Sequence, residues 1–286
     1  MSQQLLSKRP DTGWGEPFAA MLCEGIRIIN HAKNGRSTKS FLSEGLWKKL
    51  LAQIQSGDTV MIQFGHNDQK SAEPTLYASP WQGYKDNLQR FVSDVRARGA
   101  EPVLLTPIVR RQFNSQGQLE PSLGEYPAVT RLVADRMSVI SIDLNTATHE
   151  AIQAMGPVQS KSRYVHLAPH SHQNYPAGKQ DNTHLSSRGA FEVAAIAAGE
   201  LAKTHPNLIC LRILFEWPES AVRSTPHAIA EAEAEEDRDL AMRKTGPSAS
   251  LLNHSKSVDT CVHLTSLVDT PRFRGPYEKN ICQQRS

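Results

Sequence analysis

The chain has 286 residues, 39% hydrophobic and 21% charged, enough to bury one substantial core, with room for a domain of about 200 residues and an appendage. Its net charge of +3 comes without a Lys/Arg face interleaved with aromatics, and no run is long and apolar enough to cross a bilayer, so neither nucleic acid nor a membrane is an expected partner. The four cysteines, Cys23, Cys210, Cys261 and Cys282, show neither a zinc spacing nor a disulfide framework; Cys23 reads as a buried core residue, and a metal site is not supported.

Met1 to Gln4 opens no signal peptide, so the compartment is not legible. Ser7 to Gly15 is loop-like, and its Gly13-x-Gly15 is no dinucleotide loop, because no strand precedes it. A short helix is expected over Glu16 to Glu24, then a strand over Ile26 to Asn30 that runs into a polar turn centred on Gly35. A helix from about Phe41 to Gln55 leads to a strand over Asp58 to Phe64, whose carboxyl end carries Gly65-His66-Asn67-Asp68. Tyr84, Leu88, Phe91, Val92 and Val95 give Trp81 to Gly99 a helical period that closes on a glycine. Strands over Glu101 to Pro107 and Val139 to Leu144 follow, with helices over Pro127 to Met137 and Ala147 to Met155.

Strands alternating with helices predict βαβ units, a parallel sheet and helices on both faces. Sites in such sheets lie beyond the carboxyl ends of the strands, which selects Gly35, Asn67 and the segment Asp181-Asn182-Thr183-His184 together. The last segment is read as a turn opening a helix over Ser187 to Lys203, capped by Ser186 or Ser187. There Asp181 can hold one imidazole nitrogen of His184 while the other faces a cleft. Taken alone, the pair is equally a set of solvated turn formers.

Asn34-Gly35-Arg36-Ser37-Thr38, Phe64-Gly65-His66-Asn67-Asp68-Gln69 and Asp181-Asn182-Thr183-His184, in this order, resemble three blocks of the SGNH (GDSL) hydrolases. Thr12-Gly13-Trp14-Gly15 and Thr106-Pro107-Ile108-Val109-Arg110-Arg111 are similar to the rhamnogalacturonan acetylesterase branch, and the likeness covers about Ser7 to Pro206. The resemblance implies a flavodoxin-like three-layer α/β/α sandwich with strand order 2-1-3-4-5. It implies an esterase that removes acetyl groups from a pectic polysaccharide without metal or organic cofactor. His184 would be the general base, Asp181 its partner, and the Gly35 N–H and Asn67 amide two oxyanion donors. Asp68 and His66 read as structural groups, and Arg36, Lys39 and Arg110 as solvated cations that could also meet an acidic polysaccharide.

The family's opening strand and its Gly-Asp-Ser-Thr block have no counterpart in this sequence, so the nucleophilic serine is expected upstream of Met1, and the chain is expected to be inactive without it. The alternative is a non-catalytic, carbohydrate-binding descendant. The missing strand is the central one, so its neighbours must close up, be left with bare edges, or receive a filler. Leu208 to Trp217 is the filler candidate, against a plainer reading as a frayed continuation. Residues 1–207 are read as the hydrolase domain and 208–286 as a non-homologous extension without periodicity, apart from a solvated helix possible over Glu231 to Asp237. The oligomeric state is not legible.

Overall fold

A computed structural model of the chain describes residues 1–2, 4–210, 261–264 and 266–267. The chain divides into a unit of Met1–Leu211 with Asp259–Ser286, and a second of Arg212–Val258 that lies outside the described residues, as do the expectations for 211–217 and 231–237.

In the first unit the elements run α1 (Gly15–Phe18), β1 (Arg27–Ala32), α2 (Thr38–Ser43), α3 (Leu46–Leu51), β2 (Thr59–Gln63), α4 (Lys85–Arg96), β3 (Glu101–Leu105), α5 (Tyr126–Arg136), β4 (Ile140–Ile142) and α6 (Leu144–Gln159). After them come β5 (Tyr164–Leu167), β6 (Lys179–Leu185), α7 (Ser187–Ala202), β7 (Cys261–Leu264) and β8 (Ser266–Leu267). Where one helix is expected over Phe41 to Gln55 there are two, because Gly45 adopts a left-handed φ of 72° between α2 and α3. A π-helical turn, Pro80–Tyr84, leads into α4.

The main sheet has the order β4-β3-β2-β7-β1-β8. Its period of two sorts the side chains into two cores: Val60, Ile62 and Leu104 face α2, α3, α4 and α5, whereas Met61, Val103 and Leu105 face α1, α6 and α7. This is the expected three-layer α/β/α sandwich.

The centre of that sheet is not bare. Cys261–Leu264 lies parallel between β1 and β2, pairing Arg27↔Cys261 through Asn30↔Leu264 on one side and Thr59↔Val262 through Met61↔Leu264 on the other. Of the outcomes open to the central slot, a filler is the one adopted, and it comes from near the carboxyl end of the chain, not from Leu208 to Trp217. Two flanking edges supply donors and acceptors wherever an extended segment can reach them, so a short segment suffices. β8 then covers the outer edge of β1, antiparallel, through His31↔Leu267 and Ala32↔Ser266.

Leu208 and Ile209 take a different route. Both are buried in the core beneath α7, and Ile209 bridges to Leu22. Next to them Cys210 is disulfide-bonded to half-buried Cys23, which corrects the reading of Cys23 as a buried core residue in a chain without a disulfide framework. Cysteine spacing could not reveal a bridge between positions 187 residues apart.

Candidate active site

Asp181 to His184 do not form the expected helix-opening turn; they belong to β6, in a two-stranded antiparallel hairpin with β5. On a regular strand, residues three apart point to opposite faces, which would separate the carboxylate from the imidazole. The register jumps from Tyr164↔Leu185 to His166↔Gln180, so the whole Asp181-to-His184 segment bulges opposite Val165. Inside this bulge Asp181 Oδ1 accepts the backbone N–H groups of Thr183 and His184, both at 2.8 Å, and Oδ2 lies 2.7 Å from His184 Nδ1. Burial raises the pKa of Asp181, but hydrogen bonds from the His184 side chain, the His184 N–H and the Thr183 N–H outweigh it and hold the carboxyl well below the usual carboxylate range. Asp181 is therefore ionised at any working pH. It fixes the imidazole through Nδ1, leaving Nε2 turned away from the carboxylate on a half-exposed ring.

Both ends of the bulge are anchored. On one side Arg111, almost fully buried, donates Nη1–H to Asn182 Oδ1 at 2.8 Å and its backbone N–H to the Asn182 carbonyl at 2.8 Å, while Nε–H reaches Ser160 Oγ at 3.0 Å. On the other, Ser186 caps α7 by accepting the Gly189 N–H at 3.2 Å and donates to the Ser162 carbonyl at 2.7 Å. Ser187, the other candidate cap, lies within hydrogen-bonding distance of Thr12 Oγ1, 3.0 Å away.

Gly35 and Asn67 are brought together. Gly35 has φ +77°, with no heavy atom of the described residues within 4 Å of where a Cβ would be, and the Asn67 amide donates from Nδ2 to the carbonyl of the adjoining Arg36 at 3.1 Å. Asp68 holds this corner from beneath. Its carboxyl accepts the Thr38 N–H at 2.9 Å, the Thr38 hydroxyl at 2.5 Å and the Gly65 N–H at 3.1 Å. Burial nevertheless pushes its pKa up to about 6. His66 has its pKa lowered to about 3, by burial first and then by Arg110, the Met1 amino group and His184, so it stays neutral on the rim it shares with His184.

The three cations considered for an acidic substrate are already engaged: Arg36 with Glu44 at 2.9 Å, Lys39 with the Pro74 carbonyl at 2.7 Å, and Arg110 with the carbonyls of His66 and Ser122, each at 3.1 Å. Ser37 Oγ, fully buried, accepts the Ser40 N–H at 3.1 Å to cap α2. Among the described residues, no serine hydroxyl is hydrogen-bonded to the His184 ring. The sequence reading missed Asp11, Lys179, Arg111 and Asn182 as supporting groups, because their partners lie far along the chain; the local hints were Asn182 and Arg111 lying inside quoted motifs. Asp11, Asp181 and His184 have ligand-type atoms within 4.8 Å of one another, but the Lys179 ammonium already stands among the two carboxylates, 2.7 and 2.8 Å from Asp11 and 3.3 Å from Asp181. The cation this cluster holds is the chain's own.

Comparison with known proteins bears on this site. The model of the GDSL-like Lipase/Acylhydrolase family matches residues 3–190. The chain is 41% identical over 189 residues to rhamnogalacturonan acetylesterase RhgT of Bacillus subtilis, taking in 66% of this chain and 80% of that protein. It is also 41% identical over 201 residues to the rhamnogalacturonan acetylesterase of Emericella nidulans, taking in 64% of this chain and 75% of that one. The crystal structure of YxiM from Bacillus subtilis superposes with a TM-score of 0.60 at 23% identity, over 71% of this chain and 54% of that chain, a likeness of fold. With a family match spanning more than half of its length, on the α/β/α scaffold and the paired Asp181–His184 described above, the chain belongs to the GDSL-like lipase/acylhydrolase family of ester-bond hydrolases.

Proposed function

We propose that this protein is a carbohydrate esterase that removes acetyl groups from a pectic polysaccharide such as rhamnogalacturonan, with His184 as general base, Asp181 as its orienting carboxylate, and the Gly35 N–H and Asn67 amide as oxyanion donors. The observation that carries the reading is the 2.7 Å Asp181–His184 pair, set in an anchored bulge on the rim that bears His66 and Asn67. The substrate class is supported by the 41% identity to RhgT and to the Emericella nidulans enzyme.

In the reaction, a serine hydroxyl would give its proton to His184 Nε2 while attacking the acetyl carbonyl. The resulting oxyanion would be met by Gly35 and Asn67, and the imidazolium would then protonate the departing sugar oxygen. A preset amide donor of this kind contributes about 10²–10³ in rate. The nucleophile is the part the described residues do not supply, and in serine hydrolases substrate binding and the oxyanion hole alone leave roughly 10³–10⁴-fold acceleration over water, far below an intact enzyme. That same observation favours the second reading, a binding protein that uses the cleft without turnover.

One experiment separates the two. The 286-residue chain, and the same chain extended at its amino end by an apolar strand ending in Gly-Asp-Ser-Thr, are assayed on p-nitrophenyl acetate and on acetylated rhamnogalacturonan. The extended chain is expected to turn over, and to lose that turnover on substitution of the new serine or on His184→Ala. A folded extended chain that stays inert on both substrates overturns the esterase reading. The disulfide supports folding in an oxidising compartment.

A further inference from the structure

Lys179 is the first residue of β6, two positions before Asp181. Gly178 places it there, because at φ +79° a Cβ would stand 2.7 Å from the Leu167 carbonyl oxygen. The ammonium group meets three segments. From the amino-terminal loop, the buried carboxylate of Asp11 takes it at 2.7 and 2.8 Å; from the hairpin loop, the Tyr175 ring lies beneath it at 4.5 Å with the hydroxyl 3.3 Å away; from the bulge, Asp181 Oδ2 lies at 3.3 Å. Tyr175 closes the arrangement by donating its hydroxyl to the Lys8 carbonyl at 3.1 Å.

Neutralising Asp11 would require none of the contact with Asp181. Yet the ammonium reaches the same oxygen that faces His184 Nδ1, while the other oxygen is filled by two backbone N–H groups. The carboxylate is thus held on every side and cannot rotate away from the ring. Among the described residues, the charged and titratable groups around the imidazole are Asp181 and Asp11, Lys179 between them, and on the rim neutral His66 with Arg110 and the Met1 amino group beside it. Without Lys179, two uncompensated carboxylates would face the ring, and the imidazolium would form at higher pH.

We propose that Lys179, braced by Asp11 and Tyr175, is a positioning residue for the Asp181–His184 pair: it locks the carboxylate against the ring and offsets part of the negative charge that the imidazole faces. The proposal rests on the reading of His184 as a base, so its test reads the imidazole and not turnover. The His184 ring is titrated by NMR, with the signal assigned by its loss in His184→Gln. In Lys179→Met the midpoint is expected to rise by about one pH unit or more, and in Lys179→Arg to return toward the parent value. An unmoved midpoint in folded Lys179→Met overturns the proposal.

If Lys179→Met does not fold because Asp11 is left buried without a partner, the parent protein decides the matter. The Lys179 Nζ resonance should inflect at the His184 midpoint and lose that inflection in His184→Gln; a flat Nζ signal refutes the coupling. Failure of the extended chain to hydrolyse esters would count against the esterase reading alone, since neither NMR readout depends on it.

Discussion

Because Cys261–Leu264 stands in the centre of the sheet, a backbone lesion there should unsettle the whole α/β/α unit, and Val262→Pro is the sharpest one available. Val262 is opposite Ile28 on β1 and Thr59 on β2. Proline removes its N–H, leaves one acceptor on a neighbouring strand unpaired at about 1–3 kcal/mol, and adds steric disturbance within the ladder. The effect has a ceiling, since β7 can undock. Its register pairs number four with β1 and three with β2, or about 7 kcal/mol at ~1 kcal/mol each, against ~1–2 kcal/mol of backbone entropy recovered by each residue released. Taking ~1 kcal/mol for each of the four residues of β7, the ceiling on the loss is about 3 kcal/mol, seen as a fall of up to roughly 6–12 °C in Tm by circular dichroism. Val262→Ala, which keeps the N–H, separates the backbone contribution from that of the side chain. A Val262→Pro chain that melts within about 1 °C of its parent would refute the filled slot, since Val262 is paired on both sides and proline cannot donate to either ladder, unlike Pro102 of β3, which is paired on one side only. In the amino-terminally extended chain, where the added strand competes for the same slot, Val262→Pro should be nearly neutral.

Gly189→Ala places a Cβ 2.0 Å from the Arg163 carbonyl oxygen, so α7 and the segment entering β5 must part; urea unfolding should show a loss of about 2–3 kcal/mol. Replacing Cys23 and Cys210 by serine opens a link across 187 residues, and a loss of ~2–5 kcal/mol is expected, with the parent in reductant reproducing it. Asp68 gives a pH signature: its folded pKa of about 6 stands above the ordinary aspartate value of 3.8, so the folded state holds a proton that the unfolded state releases, and the associated stability is present below about pH 4 and lost as pH rises through 6. Unfolding free energy measured from pH 4 to 7 should fall by roughly 2–3 kcal/mol from this group, and Asp68→Asn should remove that slope.

The parts of the fold that repeat a pattern were legible in the residues. Thr59–Gln63 and Glu101–Leu105 carry the alternation that feeds two cores, and α4 carries Leu88, Phe91, Val92 and Val95 on one face. The filler was not legible, because a four-residue strand has no period to detect and is held by backbone groups that every sequence possesses. Leu208 to Trp217 looked better on apolar content, yet Leu208 and Ile209 are drawn into the core under α7 and Cys210 to Cys23. Composition ranks candidates for a slot but does not say which of them can reach it.

The candidate site divides the same way. Gly35, Asn67, Asp181 and His184 could be named from local motifs, because each owes its place to the few residues around it. What holds them could not, since those contacts join distant positions: Asp68 to Thr38, Arg111 to Asn182, and Lys179 to Asp11. The bulge makes that support necessary. A carboxylate and an imidazole three apart on a regular strand would diverge, so the 2.7 Å pairing exists only while the register slips between Tyr164 and His166. A slipped segment forfeits ladder bonds, and Arg111, Ser186 and the Thr183 and His184 N–H groups replace them with bonds of their own. The aim of His184 is therefore set by residues that never touch a substrate, and a site transplanted as its four motif residues alone would not keep its geometry.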